Sequence, residues 1–316
     1  MGTKFYDLDP AQFKRCWLDV PYANQDPRQV MDIYLPDEGE GPFPLIIFCN
    51  GGGWVQQNKR NNTMPGPFQA VSQGYALASI SYRLAPGVTF PAFVYDVKAA
   101  IRFLRAHAAE YQLKTDKIAA WGNSAGGHIL NIVAATGTRH MLEDLTMGNP
   151  EQSSSIQCLV SMYAPTDMYQ LDLGNRISEE EAKDLTNTDV GQKDTREGMN
   201  FPHNMCMGFK LSRNPAGAAY GSPVNYVTED FPPAYYVHGI SDPVVPYTQS
   251  TCMWNMVNQT CGAGHAKLRL FEGADHGHPS MKTNEVTDEL ISFIDQYLWE
   301  GEHVHTPLPD LVLLDD

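Results

Sequence analysis

A serine set between two glycines is the feature of this sequence most able to do chemistry. Ser124 lies in the pattern Gly122-x-Ser124-x-Gly126, which is typical of a sharp strand-to-helix turn that exposes the serine hydroxyl. The apolar run 117–121 predicts a buried strand before it, and the apolar run 129–135 predicts a buried helix after it. This context favours a nucleophile over the alternative, a glycine-rich helix start in which the serine is only a cap.

A serine hydroxyl needs a neighbouring base, usually a histidine that a carboxylate orients, before it can attack a carbonyl carbon. In proteins with this strand–serine–helix turn, the carboxylate follows the serine along the chain and the histidine comes last. Asp242 stands shortly after the predicted strand 233–238, and His276 lies in a glycine-containing loop after the next predicted strand. We therefore predict Ser124, Asp242 and His276 as a catalytic triad, with His278 as the alternative base or as a substrate contact.

The remaining histidines near these segments are predicted to be structural. His128 follows the serine turn and is expected to lie beneath it, and His238 is expected to pack at a strand end. A metal site at His276-x-His278 would need a third ligand at a defined spacing, which the sequence does not offer there. We predict neither a metal nor another cofactor for the site.

A run of glycines at the end of another buried strand can supply hydrogen-bond donors. The apolar run 44–49 predicts a central strand, and Asn-Gly-Gly-Gly-Trp follows it at 50–54. Its bare backbone N–H groups could hold the negative oxygen of a tetrahedral intermediate, and the amide of Ala125 offers another donor. A phosphate-binding loop is the alternative, but neither G-K-[ST] nor a complete G-x-G-x-x-G is present.

Strand patterns alternate with helix patterns along most of the chain, which predicts an α/β domain with a mostly parallel sheet and helices on both faces. The first two strands are expected to form an antiparallel hairpin at its edge. The predicted strands cover 13–21, 28–35, 44–49, 75–82, 117–121, 156–163, 233–238 and 266–271. One predicted helix begins at Pro91, and the others cover 124–138, 247–261 and 284–299. We expect residues 1–316 to form one domain.

Residues 164–231 interrupt this alternation and are too long for an ordinary crossover. We interpret them as a cap or lid over the site, the alternative being a surface excursion without function. The segment has no long apolar face that would suit a lipid chain, so short acyl groups are expected. Trp54, Phe209 and Tyr220 could offer flat surfaces to an aromatic or sugar ring. Asn123 and His278 are further candidates for substrate contacts.

The composition excludes some classes of partner. The formal net charge of −15 argues against nucleic acid and anionic membranes as partners. No run of 18 apolar residues occurs and the first residues lack an apolar signal segment. The six cysteines are scattered, so free and mostly buried thiols in the cytoplasm are expected. The apolar tail 311–314 is expected to pack either on the domain or on a second subunit. In the second case the protein would be a homo-oligomer.

Five segments, in this order, resemble the α/β-hydrolase esterases, and most closely the hormone-sensitive-lipase-like branch with the bacterial feruloyl and acetyl esterases. The segments are Asn50–Trp54, Ser81–Pro86, Phe90–Asp96, Gly122–His128 and His238–Pro246. The resemblance covers roughly residues 28–299 and implies the α/β-hydrolase fold. It implies Ser124, Asp242 and His276 as the triad. It implies Gly52, Gly53 and Ala125 as the residues of the oxyanion hole.

Two positions depart from the family pattern. Asn50 stands where the family usually has a histidine before the three glycines, and an asparagine there can still brace the loop by hydrogen bonds. Asn123 stands where hormone-sensitive-lipase-like members commonly have an aspartate. This second departure is more like the feruloyl and acetyl esterase subgroup.

The resemblance implies a serine carboxylic ester hydrolase that works through an acyl-enzyme. Short acyl or aryl esters, including acetyl or feruloyl esters of plant glycans, are the expected substrates, with acetyl esters favoured over feruloyl esters. An amide hydrolase such as a formamidase is one alternative. A non-catalytic interaction protein of the same fold is the other, although such proteins typically lack a triad member and this sequence offers all three.

Overall fold

The structure, a computed structural model, describes residues 7–174 and 201–314. Its centre is a single sheet of eight strands in the order β1-β2-β4-β3-β5-β6-β7-β8. The strands are β1 (Arg15–Pro21), β2 (Val30–Leu35), β3 (Phe43–Cys49), β4 (Ala76–Ile80), β5 (Leu113–Asn123), β6 (Cys158–Met162), β7 (Ala234–Gly239) and β8 (Ala266–Phe271). Each of the eight predicted strands is present.

Strand direction separates one edge of the sheet from the rest. β2 pairs antiparallel with both β1 and β4. The connection between β1 and β2 is too short for a parallel crossover, so these two strands form a hairpin. All pairings from β4 through β3, β5, β6 and β7 to β8 are parallel. The carboxyl ends of these parallel strands therefore meet at one edge, which is where open α/β sheets bind ligands.

Helices cover both faces of the sheet. Over the described residues, the α-helices are α1 (Pro65–Gln69), α2 (Ala92–Ala106), α3 (Ser124–Thr136), α4 (Met168–Gly174), α5 (Pro202–Met207), α6 (Pro215–Tyr220), α7 (Thr248–Cys261) and α8 (Asn284–Leu298). Apolar residues of α2, α3 and α7 share one core cluster, and those of α1 and α8 share the other. The predicted α/β-hydrolase fold, with a mostly parallel sheet between two helical layers, is confirmed.

The central strands are buried on both faces, which explains their uninterrupted apolar sequence. In β3, Ile47 belongs to the cluster under α2 and α3, whereas Ile46 and Phe48 belong to the cluster under α8. The same alternation in β5 sends Ala120 to the first cluster and Trp121 to the second. Side chains alternate between faces along a strand, so a strand covered on both sides must be apolar throughout.

The predicted cap, residues 164–231, falls partly outside the described residues, since 175–200 are not among them. The described parts contain α4, α5 and α6. They pack on the main domain through residues such as Met168, Leu211 and Ala218, which belong to the cluster under α2 and α3. A cap function for the whole segment stays a prediction.

The C-terminal segment packs on its own chain. Leu313 forms an isolated antiparallel bridge with Leu8, and the Asp9 N–H donates to the Val312 carbonyl oxygen at 3.0 Å. All six cysteine thiols are free, as predicted, and three of them are buried. Among the described residues, none of the helices has the length and apolar character needed to cross a bilayer.

Candidate active site

Ser124 occupies the turn that the glycine pattern predicts. β5 ends at Asn123 and α3 begins at Ser124, whose φ of 51° lies in the left-handed region. A side chain on Gly126 would place its Cβ 2.0 Å from the carbonyl oxygen of Cys49. Only glycine therefore allows α3 to approach β3 this closely, and this approach holds the serine at the carboxyl end of the sheet.

The three residues of the predicted triad lie together, although 152 positions separate the serine from the histidine. His276 Nε2 lies 3.1 Å from Ser124 Oγ, and His276 Nδ1 lies 2.6 Å from Asp242 Oδ2. An ionised carboxylate only accepts, so Nδ1 carries the proton and donates it to Asp242. Nε2 is then free to accept the serine O–H, which is the arrangement that general-base activation requires.

Asp242 is held as a carboxylate by donors on every side. Its Oδ1 accepts the backbone N–H groups of Val244 and Val245 at 2.8 and 2.9 Å. Its Oδ2 lies 2.6 Å from His276 Nδ1 and 3.3 Å from His238 Nε2. Burial raises the pKa of Asp242, but the hydrogen bonds from the two histidines and from Val245 outweigh it, so the pKa lies well below the usual range.

His238 was predicted to pack at a strand end, and it does lie buried near the end of β7. The sequence did not indicate its second contact, with the carboxylate of Asp242. Its Nε2 lies 2.9 Å from the Val245 carbonyl oxygen as well as 3.3 Å from Asp242 Oδ2. Both neighbours are acceptors, so Nε2 carries the proton, and Nδ1 faces Ser250 Oγ at 2.7 Å.

The glycine loop lies directly against the serine. A Cβ on Gly51 would fall 2.8 Å from Ser124 Cβ. Gly52 has a φ of 128°, and a Cβ there would fall 1.9 Å from the Gln56 carbonyl oxygen, so the loop cannot take this path with a side chain at position 52. Within the described residues, no hydrogen bond uses the backbone N–H of Gly52 or Gly53. These donors are available to a developing oxyanion.

Two asparagines hold the loop in place. The Asn50 side chain donates from Nδ2 to the Asn58 carbonyl oxygen at 3.0 Å, which is the bracing expected of it. Asn123, predicted as a substrate contact, is among the residues that line the cavity but is only 5 % exposed. Its Oδ1 accepts the Gly51 N–H at 3.3 Å and its Nδ2 donates to Tyr163 Oη at 3.2 Å. These hydrogen bonds hold the loop, and a contact with substrate stays a prediction.

Trp54, predicted to offer a flat surface to substrate, is among the residues that line the cavity over Ser124, but it is only 3 % exposed. Its indole N–H donates to His128 Nδ1 at 3.2 Å, so the ring anchors the end of the glycine loop to α3. A contact with substrate stays a prediction. The partner ring is itself fixed, because His128 Nε2 lies 2.8 Å from the Gly221 carbonyl oxygen. His128 thus lies beneath the serine turn, as predicted.

His278, like Trp54 and Asn123, lines the cavity above the serine. Its Nδ1 accepts the backbone N–H of Ser280 at 3.2 Å, which leaves Nε2 as its remaining polar atom. Phe209 packs against the core, and Tyr220 makes an edge contact with the Phe90 ring at 5.1 Å. Neither of these two rings lines the cavity, so the prediction that they stack on a substrate is wrong.

The cavity itself has a volume of about 830 Å³ and opens over Ser124 and His276. The lining includes the apolar residues Leu171, Phe201 and Pro202, close in sequence to the undescribed part of the insert. It also includes polar residues: Asn50, Gln56, Gln57, Asn58, Asn61 and Thr63. Carboxamides, a hydroxyl and apolar side chains thus share the lining of the cavity.

Tyr163 is a site residue that the sequence analysis did not single out. It directly follows β6, lines the cavity and places its ring edge on His276 at a centroid distance of 4.8 Å. Its hydroxyl accepts from Asn123 Nδ2, and burial raises its pKa, so it stays neutral. Its position just beyond a strand at the carboxyl edge was the one available signal.

The chain matches the protein-family model described as BD-FAE over residues 31–257. It is 29 % identical over 281 residues to esterase LipQ of Mycobacterium tuberculosis, covering 87 % of this chain and 61 % of that protein. It is 28 % identical over 236 residues to the probable carboxylic ester hydrolase LipM of the same organism, covering 73 % of this chain and 49 % of the relative. The chain thus spans about half to three fifths of the length of these curated relatives.

Solved structures share the fold. A truncated carbohydrate esterase from gut microbiota superposes with a TM-score of 0.76 at 23 % identity, covering 92 % of this chain and 98 % of that one. A bifunctional GH43-CE protein of Bacteroides eggerthii superposes with a TM-score of 0.72 at 28 % identity, covering 89 % of this chain and 38 % of that one. Because the family match covers well over half of the sequence, and the sheet and serine turn agree with it, the chain belongs to the BD-FAE family of α/β-hydrolase proteins.

Proposed function

We propose that the protein is a serine carboxylic ester hydrolase with Ser124, His276 and Asp242 as its catalytic triad. One observation carries the proposal: the continuous hydrogen-bond path from Ser124 Oγ through His276 to Asp242, beside a loop with unused N–H groups. The sequence relatives named as esterases support the same class of reaction.

In the proposed reaction, Ser124 Oγ attacks the ester carbonyl carbon while its proton passes to His276 Nε2. The carbonyl oxygen becomes an oxyanion that the N–H groups of Gly52, Gly53 and Ala125 stabilise. Asp242 stabilises the imidazolium that forms. The tetrahedral intermediate collapses, the alcohol leaves with the proton from Nε2, and an acyl-enzyme remains. A water molecule then repeats the sequence and releases the acid.

The proposed substrates are short acyl esters, including acetyl or feruloyl esters of plant glycans, with acetyl esters preferred. The carboxamides in the cavity lining support this, because amides donate and accept hydrogen bonds as sugar hydroxyls require. Leu171 and Phe201 are among the apolar lining residues that could contact the acyl group, and each methylene that a pocket cannot hold costs about 1–3 kcal/mol. We therefore expect kcat/KM to fall from acetyl and butyryl esters to octanoyl esters.

The test compares p-nitrophenyl acetate, butyrate and octanoate with methyl ferulate, acetylated xylo-oligosaccharides and N-formylkynurenine. Cleavage of short esters that is lost in Ser124→Ala supports the proposal. The matched control is His107→Ala, which changes a surface histidine paired with Glu110. Cleavage of N-formylkynurenine alone would favour an amide hydrolase, and no turnover of any substrate would favour a non-catalytic protein. A cytoplasmic location and a homo-oligomer stay predictions.

A further inference from the structure

A second cluster of histidines and carboxylates lies outside the proposed active site. Asp295 is in the last turn of α8, and His303 and His305 follow in the extended segment behind it. His303 Nδ1 lies 2.8 Å from Asp295 Oδ1, and His305 Nε2 lies 2.6 Å from Asp295 Oδ2. One potential ligand atom from each of the three residues lies within 4.8 Å of the other two.

A second carboxylate holds His305 from its other side, since Nδ1 of the ring lies 2.5 Å from Asp288 Oδ1. We call Asp288, Asp295, His303 and His305 the C-terminal cluster. The His303 ring is positioned by stacking on Trp299, with ring centroids 4.1 Å apart and planes tilted by 25°. The side chains of His303, His305 and Asp295 are 13 %, 12 % and 15 % exposed, whereas that of Asp288 is 50 % exposed. The first three side chains are therefore preorganised and mostly shielded from water, and Asp288 lies on their solvent side.

The C-terminal cluster places two carboxylates against two imidazoles. Across the described residues, the two carboxylates form no ion pair with a lysine or arginine; their ion-pair partners are the two histidines. Without a metal ion, both nitrogens of His305 contact carboxylate oxygens, so this ring carries a proton on each nitrogen. With both imidazoles neutral, as metal ligands are, the two carboxylates carry a charge of about −2, which one divalent cation would neutralise.

We propose that Asp295, His303 and His305 bind a divalent transition-metal ion, with Zn²⁺ as the best match. Two imidazole nitrogens and one carboxylate are a ligand set that zinc accepts, whereas magnesium and calcium prefer oxygen ligands alone. Ligand atoms about 2.1 Å from a tetrahedral ion are about 3.4 Å apart. The three ligand atoms already lie within 4.8 Å of one another, and the two short contacts to the separate oxygens of Asp295 must open to admit the ion.

The surrounding groups fit the outer shell of such a site. A zinc-bound histidine usually donates its second ring N–H to a carboxylate, and Asp288 accepts from His305 Nδ1 in this way. The Tyr75 hydroxyl donates to Asp295 Oδ1. The fourth position, left to water, fits the partial exposure of the cluster.

The ion would fasten the C-terminal segment to the domain. Directly after the cluster, the Thr306 N–H donates to Gln73 Oε1 at 2.8 Å, and the Pro309 carbonyl oxygen accepts from Gln69 Nε2 at 2.9 Å. These contacts join the segment to the region around α1. A metal ion bound to His303 and His305 would fix the start of this segment. Its expected effect is therefore on the stability of the folded chain and not on ester hydrolysis.

The test uses the full chain without a histidine tag, stripped with EDTA and dialysed. Calorimetric titration with ZnCl₂ and elemental analysis should give one zinc ion per chain. Saturating Zn²⁺ should raise Tm by about 5 °C, because it binds the folded chain preferentially. Co²⁺ should give the visible absorption of a four-coordinate nitrogen–oxygen site.

The variants separate this site from others. His303→Gln and His305→Gln keep polar side chains and should each weaken zinc binding by about 100-fold, while Asp288→Asn should weaken it by about 10-fold. His107→Ala and His276→Ala should bind zinc like the wild type, which also excludes binding at the proposed active site. The proposal is overturned if zinc is not bound stoichiometrically, if binding survives both glutamine variants, or if His276→Ala abolishes it.

Discussion

Within the described residues, two clusters each bring a pair of histidines against carboxylates, and the clusters differ in the groups that the imidazoles contact. In the group formed by Asp242, His238 and His276, one nitrogen of His276 faces a serine hydroxyl beside unused backbone donors. In the C-terminal cluster, both nitrogens of His305 face carboxylates. A histidine–carboxylate contact is therefore not enough to indicate a catalytic base, because the group at the second ring nitrogen decides what chemistry is available.

The position in the fold explains this difference. Asp242 and His276 lie in loops after β7 and β8, at the edge where the parallel strands end and where β5 delivers the serine. The C-terminal cluster lies at the end of α8, where no strand end brings a nucleophile. The sheet therefore places three distant residues in reach of one substrate, whereas a helix end brings together residues that are close in sequence.

The largest effect on kcat is expected from substitutions at Ser124 and at the histidine that contacts it. Ser124→Ala and His276→Ala should each lower kcat by up to about 10⁶-fold, because a triad acts as a unit. A fluorophosphonate probe should label the wild type at Ser124 alone, as mass spectrometry of tryptic peptides can show. Labelling at another serine, or full activity in His276→Ala, would contradict the assignment.

Replacing the carboxylate by its amide should have the next largest effect. Asp242→Asn keeps the shape but no longer orients the imidazole or stabilises the imidazolium, so kcat should fall by about 10⁴-fold. Steady-state kinetics on p-nitrophenyl acetate measures the loss. A change of less than tenfold would mean that Asp242 is only a structural partner of the two histidines.

His128 sharpens the comparison, because it is a buried histidine whose hydrogen-bond partners are Trp54 and a backbone carbonyl and not a carboxylate. Burial lowers its pKa from 6.5 to about 4. Between these values the unfolded chain binds a proton that the folded chain does not, so the free energy of unfolding decreases as the pH falls from 6.5 to 4. The contribution amounts to about 3 kcal/mol and is fully present above pH 6.5.

The measurement is urea unfolding at several pH values in the wild type and in His128→Gln. The glutamine keeps a donor and an acceptor but does not titrate, so the variant should lose part of the decline between pH 6.5 and 4. Parallel curves for the two proteins would show that His128 does not contribute to the pH dependence.

The smallest predicted effect concerns the second histidine beside Asp242. His238→Asn removes a neighbour 3.3 Å from Asp242 Oδ2, and loss of a hydrogen bond to a charged group costs about 1.5–3 kcal/mol. Since part of this loss affects folding, we expect kcat to fall by about tenfold and its pH dependence to shift. An unchanged pH profile together with a lowered Tm would indicate a role in packing only.

The sequence was sufficient for the architecture because the physical signals are local. Uninterrupted apolar runs marked the buried strands, and the glycines around Ser124 marked the turn that holds it. Asp242 and His276 followed from their order along the chain. The structure brings all three together, so the geometry supports what the pattern predicted.

The contacts that were missed depend on packing between distant segments. The Trp54 ring turns inward because His128 offers an acceptor beneath the loop, and no spacing in the sequence indicates this direction. The sequence analysis did not single out His303 and His305, and Asp295 lies eight residues before His303, on a helix. The three side chains lie close together because the chain turns back after α8, and only the structure shows this turn.

The left-handed backbone of Ser124 implies that thermal stability and catalysis favour different residues at this position. A side chain at a φ of 51° costs about 1–2 kcal/mol relative to glycine. Ser124→Gly should therefore be more resistant to heat than Ser124→Ala, although both are expected to be inactive. Selection for stability alone would remove the serine at this turn. Its retention in a strained conformation is what selection for activity would leave behind.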